Sequence, residues 1–524
     1  MPEHSRLRSS TMAPNYSPTQ HPEGYEGSFG NPNGHHVKNG AQYLPEVREV
    51  DSMLESVAPV KIILPTGDVI VEYACPNRTL VAGGRWQVSS DDLRQNSPYF
   101  RALLDPLKFY EGRQFSQQKS IKQETAADTM GGVPDSSNTE TAQTSLPSIR
   151  LPSDHFSSEL GVDAIEMFLR ILSFDSFGNE EKDSFTAELR LKPTSLVARL
   201  IELADAFNSP DIVREALTRS AYAFGKSKSP LWKFDVSILK HSEDRIRQTM
   251  YISRFLNERN VFQISSHTLI LLGSRFWAHG IETPLSTTFR WRHLSDGLEE
   301  ELYYRRQCIL NTITDLQASF LRAYGALDTP EDMKQASTTT VPTRHYQCRC
   351  GFGNASACDA FHLGQMTRFF SLRTRTIFLG STLIDPDFHP DVDSDGDEDT
   401  PPAPPSDISA LISSLKQFPD YQIDTHHTGC GVRRRFLPPL DCIERFVGDS
   451  RGLLGVDLRS WDATEWPLAA GSWANRAIRR ALVVDVHFSR INAIHRVTPG
   501  LSRPDSAEEN ARLLFTAKRR NWEA

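Results

Sequence analysis

Cysteine is scarce in this 524-residue chain, with seven residues: Cys75, Cys308, Cys348, Cys350, Cys358, Cys430 and Cys442. So few thiols make no disulfide framework, and an odd number fits a reducing compartment. Long hydrophobic runs are missing too. No stretch nears the roughly 18 apolar residues of a membrane helix, and the opening MPEHSRLRSSTMAPNYSPTQ has no apolar signal core. The expectation is a cytoplasmic or nuclear protein without a membrane partner. Excess positive charge is absent, since 58 Lys and Arg stand against 66 Asp and Glu for a net charge of −8. Nucleic acid is therefore a poor partner for the whole molecule. No Gly-x-Ser-x-Gly, His-Glu-x-x-His or phosphate loop occurs, so no catalytic residue is assigned and the chain reads as no enzyme. An unrecognised enzyme in the C-terminal region, residues 341–524, is the competing expectation.

Apolar residues are also few, at 39% against the roughly 45–50% of globular domains in a count that includes Gly. Part of the chain is therefore expected to lie outside any core. Residues 1–55 are rich in Pro, Gly, Asn, Ser and His and read as a disordered tail. Residues about 113–147 have similar character between two strongly patterned stretches, which marks a disordered insertion within a domain. Residues about 385–407 run from acidic to proline-rich and read as a spacer.

What remains has clear periodicity. VKIILP at 60–65, a Thr66-Gly67-Asp68 turn and VIVEYA at 69–74 read as a hairpin. RWQVSS at 85–90 leads into two short helices broken at Ser97-Pro98, with Leu93, Phe100, Leu103, Leu104 and Leu107 as apolar positions. SIRLP at 148–152 is a strand. Residues 161–174 form a helix with Ile165, Phe168, Leu169 and Leu172 on one face. A helix capped by Ser195 follows, and Ser209-Pro210-Asp211 ends it and starts another. The fold class is α+β for residues 56–226, with a helical extension over 227–335 and a mixed α/β C-terminal region over 341–524. The extension's clearest helix runs from Ser295 to about Arg322. Its stripe of Leu302, Ile309, Ile313, Leu316 and Phe320 reads as a core face, and its acids Asp296, Glu299, Glu300 and Glu301 suit the positive end of the dipole. LVVDVHF at 482–488 reads as a strand, and Ser506-Ala507-Glu508-Glu509 as the capping box of a final helix.

The run WQVSSDDLRQNSPYFRALLDPLKFYEG resembles the centre of the BTB/POZ domain family, in its long fungal form of uncharacterised function. Asp68 stands at the acidic position of the family's first hairpin, Ser89 where the family usually has a buried histidine, and IRLP…GVDAIEMFLRILSF at its later strand and helix. The resemblance spans about 60–225 with the insertion looped out. YQCRCGFGNASACDAFHLGQM and YQIDTHHTGCGVRRRFLPPLD are similar to later parts of such proteins. The resemblance implies a scaffold that binds proteins, either a homodimer or a recruiter of a partner. Its alternative is a substrate adaptor of a cullin-type ubiquitin ligase, with Phe109 and Glu111 at the hydrophobic-x-Glu contact and Asp68 in the same unit. The insertion near that surface weighs against the adaptor.

Cys348, Cys358, His427 and Cys430 have the thiolate and imidazole chemistry of a structural zinc site, with Cys350 as an alternative ligand. The bland reading is small buried residues. Asp391-x-Asp393-x-Asp395-Gly396 begins like a calcium loop, but Pro402 replaces its closing Glu. Gly351-x-Gly353 lacks the third glycine of a dinucleotide loop. Ile121-Lys122-Gln123-Glu124 fits a modifier-attachment pattern by chance, and the basic runs at 433–435 and 518–520 read as solvated faces.

Overall fold

Alternation along VIVEY and GRWQV buries Val69, Val71, Tyr73, Trp86 and Val88 and leaves Glu72, Arg85 and Gln87 at the edge of solvent. The strands are β1 (Val60–Ile62), β2 (Val69–Tyr73), β3 (Gly84–Val88) and β4 (Ser148–Arg150). The computed structural model describes residues 59–74, 83–128, 146–152, 161–225, 233–277, 289–326, 347–348, 354–374, 376, 407–459, 466 and 507–517, all within the unit Ser56–Ala524. The 1–55 tail, residues 385–406 of the spacer and the 482–488 strand lie outside the described residues.

The expected hairpin of 60–65 with 69–74 does not form. β1 pairs in parallel with β3, Lys61 opposite Trp86, and β2 pairs antiparallel with β3, Val71 opposite Trp86. β4 joins β2 in parallel, giving the order β1-β3-β2-β4. The reason lies between the strands. Ile63 and Leu64 donate their amides to the Gln87 carbonyl, and Asp68 donates its amide to Val88. Gly67 packs so tightly there that a Cβ would stand 2.7 Å from the Val88 carbonyl oxygen. The turn therefore crosses the end of β3 instead of folding β1 back on β2.

Helices α1 (Ser90–Asn96) and α2 (Pro98–Leu103) form on either side of the Ser97-Pro98 break. Ser97 caps α2 and donates its hydroxyl to the Phe207 carbonyl at 2.9 Å, while the Asn96 amide donates to the Leu172 carbonyl at 2.6 Å. The break thus reaches the ends of α4 (Val162–Leu172) and α6 (Thr194–Ala206). Phe207 stacks on Phe100 and Phe168 with ring centroids 5.4 and 5.3 Å apart. α6 begins at Thr194 behind Pro193, one residue before the expected Ser195 cap; α5 (Asn179–Arg190) and α7 (Pro210–Arg219) flank it.

Two expectations in this region need correction. Leu107 is 94% exposed and no part of the core. The segment read as a disordered insertion from about 113 is helical as far as Asp128, in α3 (Tyr110–Asp128). Its sequence is polar, but Phe115 is buried in the first core and Lys119 reaches the Asp68 carboxylate at 2.8 Å.

Two cores form, and their borders differ from those expected. The first takes in the sheet and α1–α7, and also Ile252 and Val261 from the next two helices and Phe289 and Trp291. The unit read over 56–226 is therefore not closed by its own residues. The second core joins the helical extension to the C-terminal region. It unites α8 (Glu243–Leu256), α9 (Arg259–Leu272), α10 (Leu298–Ala323), α11 (Ala355–Arg368), α12 (Ile408–Lys416), α13 (Arg433–Val447) and α14 (Ala507–Thr516). α10 faces this core through Leu302, Ile309, Ile313 and Leu316, as expected. It starts at Leu298 behind Gly297, a left-handed residue at φ 73°, so the expected Ser295 cap lies two positions too early. Glu299 and Glu301 are buried in ion pairs with Arg247 and Arg305 and are not dipole partners at the surface.

The non-helical stretch after α13 is held by side chains distant in sequence. Arg305 donates to the Leu454 and Gly455 carbonyls at 3.0 and 2.7 Å. The Ser266 hydroxyl accepts from the Val456 amide, and His267 lies between the Val447 carbonyl and the Leu454 amide. Among the described residues no helix is long and apolar enough to cross a membrane.

Candidate functional site

Three of the four residues expected to bind metal come together. Cys348, Cys358 and Cys430 are buried at 9%, 0% and 7% exposure. Their sulfurs all lie within 4.8 Å of one another, with Cys348 and Cys430 at 3.6 Å. They arrive from three directions: the short 347–348 segment, the first turn of α11, and the turn leading into α13. Cys350 lies outside the described residues.

The surrounding structure fixes each sulfur. Asp359, next to Cys358 and itself buried, accepts the backbone amides of Gln347 and Cys348 at 2.8 and 3.1 Å, which clamps that segment onto α11. Arg435 of α13 donates to Gln347 at 2.9 Å, to the Tyr324 hydroxyl, and to the Cys430 carbonyl at 3.3 Å. The Cys430 amide in turn bonds the His427 carbonyl at 3.2 Å across a turn in which Gly429 takes φ 93°, a conformation glycine adopts without penalty.

His427 is 2% exposed and beside this group. Its Nδ1 bonds the Asp424 carboxylate at 2.8 Å, while its Nε2 is buried without a hydrogen-bond partner among the described residues. The bond to His427 holds the Asp424 carboxyl below the usual carboxylate range, against a slight opposing effect of desolvation. Among the described residues the set of mutually close donor atoms contains the three sulfurs and does not include the imidazole.

A second histidine at this place was not singled out in the sequence. His362 follows Cys358 by one helical turn on α11, is 2% exposed, and also has a buried Nε2 without a partner. Burial, then the Arg435 charge, keep it neutral by lowering its pKa. The Cys-x-x-x-His spacing was the available signal, since positions i and i+4 share a helix face. Burial, and then the neighbouring sulfurs, push the Cys358 thiol upward, so three thiolates this close are unfavourable without a cation.

The residues read as partner-binding lie elsewhere, on the first core. Asp68 turns its carboxylate inward, accepting the Ser90 amide at 2.7 Å, the Ser90 hydroxyl at 2.8 Å and the Lys119 ammonium at 2.8 Å. Burial works against its charge, but these donors outweigh it and hold its pKa below the usual range. Asp68 therefore ties β2, α1 and α3 together. Ser89 caps α1 through the Asp92 amide. Phe109 is 46% exposed, Tyr110 67%, and with Leu107 they form a run of solvent-facing apolar groups just ahead of Glu111. Phe109 is therefore no core residue. Leu93 and Phe100 are wholly buried within the one chain, which withdraws them from any seam between chains.

Comparison of the chain with protein-family models, with curated proteins and with solved structures finds no match.

Proposed function

We propose that this chain is a non-enzymatic protein-interaction protein that recruits a protein partner through a BTB/POZ-like unit. The observation that carries the reading is the exposed Leu107, Phe109 and Tyr110 between α2 and α3, on a unit whose other apolar side chains are largely withdrawn into a core. Apolar anchors of this size are what binding surfaces use, and water gains by their burial. The architecture supports the family reading. The strands of 60–88 and the strand at 148–150 pair in one sheet, and the helices of 90–103 and 162–206 pack on one core. The resemblance would be untenable had these segments formed separate units.

The Phe109-x-Glu111 pattern favours a scaffold of cullin type as partner, which makes the adaptor role the sharper form of the proposal. Self-association is the second reading, favoured by Ile62, 64% exposed on the edge strand β1. An enzyme centred on Asp424 and His427 finds less support, because the His427 ring and the three sulfurs are buried away from a substrate.

The test uses the full-length chain as bait in fungal extract, with mass spectrometry of captured proteins. Phe109→Ala with Glu111→Ala should abolish capture of a cullin scaffold while leaving the melting temperature unchanged, since both groups face solvent. If the unmutated chain captures no cullin, the adaptor role is lost. If sedimentation then gives a monomer at tens of micromolar and Leu107→Asp with Phe109→Asp alters no captured partner, the interaction surface is lost as well.

A further inference from the structure

We infer that Cys348, Cys358, Cys430 and the Nε2 of His427 form a structural zinc site that fastens the second core. It is independent of the interaction surface, since none of its residues belongs to the first core.

The argument begins with the sulfurs. A tetrahedral ion with Zn–S bonds of about 2.3 Å places its sulfurs about 3.8 Å apart. Cys348 and Cys430 stand at 3.6 Å, and the third sulfur within 4.8 Å of both. A disulfide needs about 2.05 Å, and three mutually close sulfurs leave one over whichever pair is chosen. Ordinary buried cysteines pack against carbon, as Cys308 and Cys442 do inside the second core. The three sulfurs here instead form a group of their own, with Ala355 and Ile423 the partly buried apolar side chains packed against it among the described residues.

The imidazole supplies an independent observation. A buried ring nitrogen without a hydrogen-bond partner costs about 1–3 kcal/mol, and His427 has one. Its other nitrogen is held by Asp424 at 2.8 Å. That carboxylate–histidine arrangement fixes the tautomer with the proton on Nδ1 and the lone pair on Nε2, which is how metal-bound histidines are oriented. The Nε2 lone pair is the donor assigned to the fourth position, on a residue whose carbonyl accepts the Cys430 amide at 3.2 Å in the same turn.

His362 is the rival for that position. Among the described residues no carboxylate hydrogen-bonds its ring, whereas Asp424 orients that of His427 at 2.8 Å. Four protein ligands leave no open coordination site, and the group is shut off from solvent. The metal is therefore structural and not catalytic. Its role is mechanical: it joins the 347–348 segment, α11 and the start of α13, which are separated in sequence by 82 positions between Cys348 and Cys430.

Full-length protein purified without chelator should contain one zinc per chain. Cobalt substituted for zinc should show the visible bands of a tetrahedral site and sulfur-to-cobalt charge transfer. Asp424→Asn should weaken metal binding about 10-fold to 100-fold. His427→Ala should shift the cobalt bands, whereas His362→Ala should leave them unchanged. If these variants do not fold, alkylation of the unmutated protein gives the answer. Metal-loaded protein should protect Cys348, Cys358 and Cys430, and a chelator should expose those three before Cys308 and Cys442. Metal-free protein as purified that takes up no cobalt, or a Cys348–Cys430 disulfide under reducing purification, would overturn the site. Cobalt bands that respond to His362→Ala and not to His427→Ala would overturn the ligand assignment.

Discussion

Arg247 and Glu299 meet in a two-pronged pair between α8 and α10, with nitrogen–oxygen distances of 2.9 and 2.6 Å and side chains 0% and 1% exposed. Glu299 also accepts the Trp277 indole N–H at 2.7 Å and the Leu294 amide at 3.0 Å, and Arg247 donates to Ser274 and the Arg292 carbonyl. With the Arg247 Nε donating to Glu243 at 2.7 Å, every prong of both groups is used. Burial works against the Glu299 charge, yet its donors outweigh that and hold its pKa below the usual range.

Removing Arg247 strands Glu299, whereas removing Glu299 leaves Arg247 with Glu243 at 2.7 Å. Arg247→Met should therefore cost about 3–5 kcal/mol, the penalty of an uncompensated buried charge, and Glu299→Gln less. Arg247→Met combined with Glu299→Gln should cost less than the sum of the two single changes. Urea unfolding of the four proteins in the cycle measures the difference, and strict additivity would show that the pair is not coupled.

His267 makes stability depend on pH. Burial lowers its pKa from 6.5 to about 4, opposed in part by the Val447 carbonyl and the nearby Asp449 charge. The folded value lies below the unfolded one, so the unfolded chain binds the extra proton. This contribution is complete above pH 6.5 and is lost as pH falls toward 4, by about 3 kcal/mol in all. His267→Gln should lower stability at pH 7 and flatten its fall between pH 6.5 and 4, as followed by urea midpoints at stepped pH.

Two glycines should respond in opposite directions to alanine. A Cβ on Gly455 would stand 1.9 Å from the Gln263 carbonyl oxygen, which is backbone and cannot turn aside. Gly455→Ala should destabilise by about 1–3 kcal/mol or more, as overpacking does. Gly364 lies inside α11 with nothing within 4 Å of its Cβ position, so Gly364→Ala should stabilise by about 0.5–1 kcal/mol. Thermal melts of both variants decide.

α3 is attached to the first core by Phe115, which is 4% exposed and lies under the Arg94 and Lys119 cations. Phe115→Ala should remove about 3 kcal/mol of that attachment. Hydrogen exchange at amides 113–120 should then accelerate far more than exchange in α4. Equal change in both helices would mean that α3 unfolds only with the whole unit.

What the sequence made legible follows from locality. α4 and α10 each place enough apolar residues on one face to be read directly, and the Ser97-Pro98 break carries its own backbone rule. The pairing of β1 with β3 was not legible, because strand periodicity says which face is buried and not which neighbour bonds. α3 escaped notice because one buried aromatic in a polar segment leaves no periodic signal. Glu299 was misread because its partner Arg247 lies 52 positions away. The three clustered cysteines were singled out from chemistry alone, whereas His362 was lost among ordinary helix residues.

The stretch after α13 has a consequence for synthesis on the ribosome. Arg305 finds its acceptors 149 and 150 positions downstream, and His267 finds its donor 187 positions downstream. At about 5–20 residues per second, the carbonyls of Leu454 and Gly455 reach Arg305 about 8–30 s after it is made. Throughout that interval α9 and α10 must keep those polar groups wet, so their packing cannot become dry until the chain has passed residue 456. Nascent chains stopped short of this point should therefore depend on chaperones that chains a few residues longer no longer need.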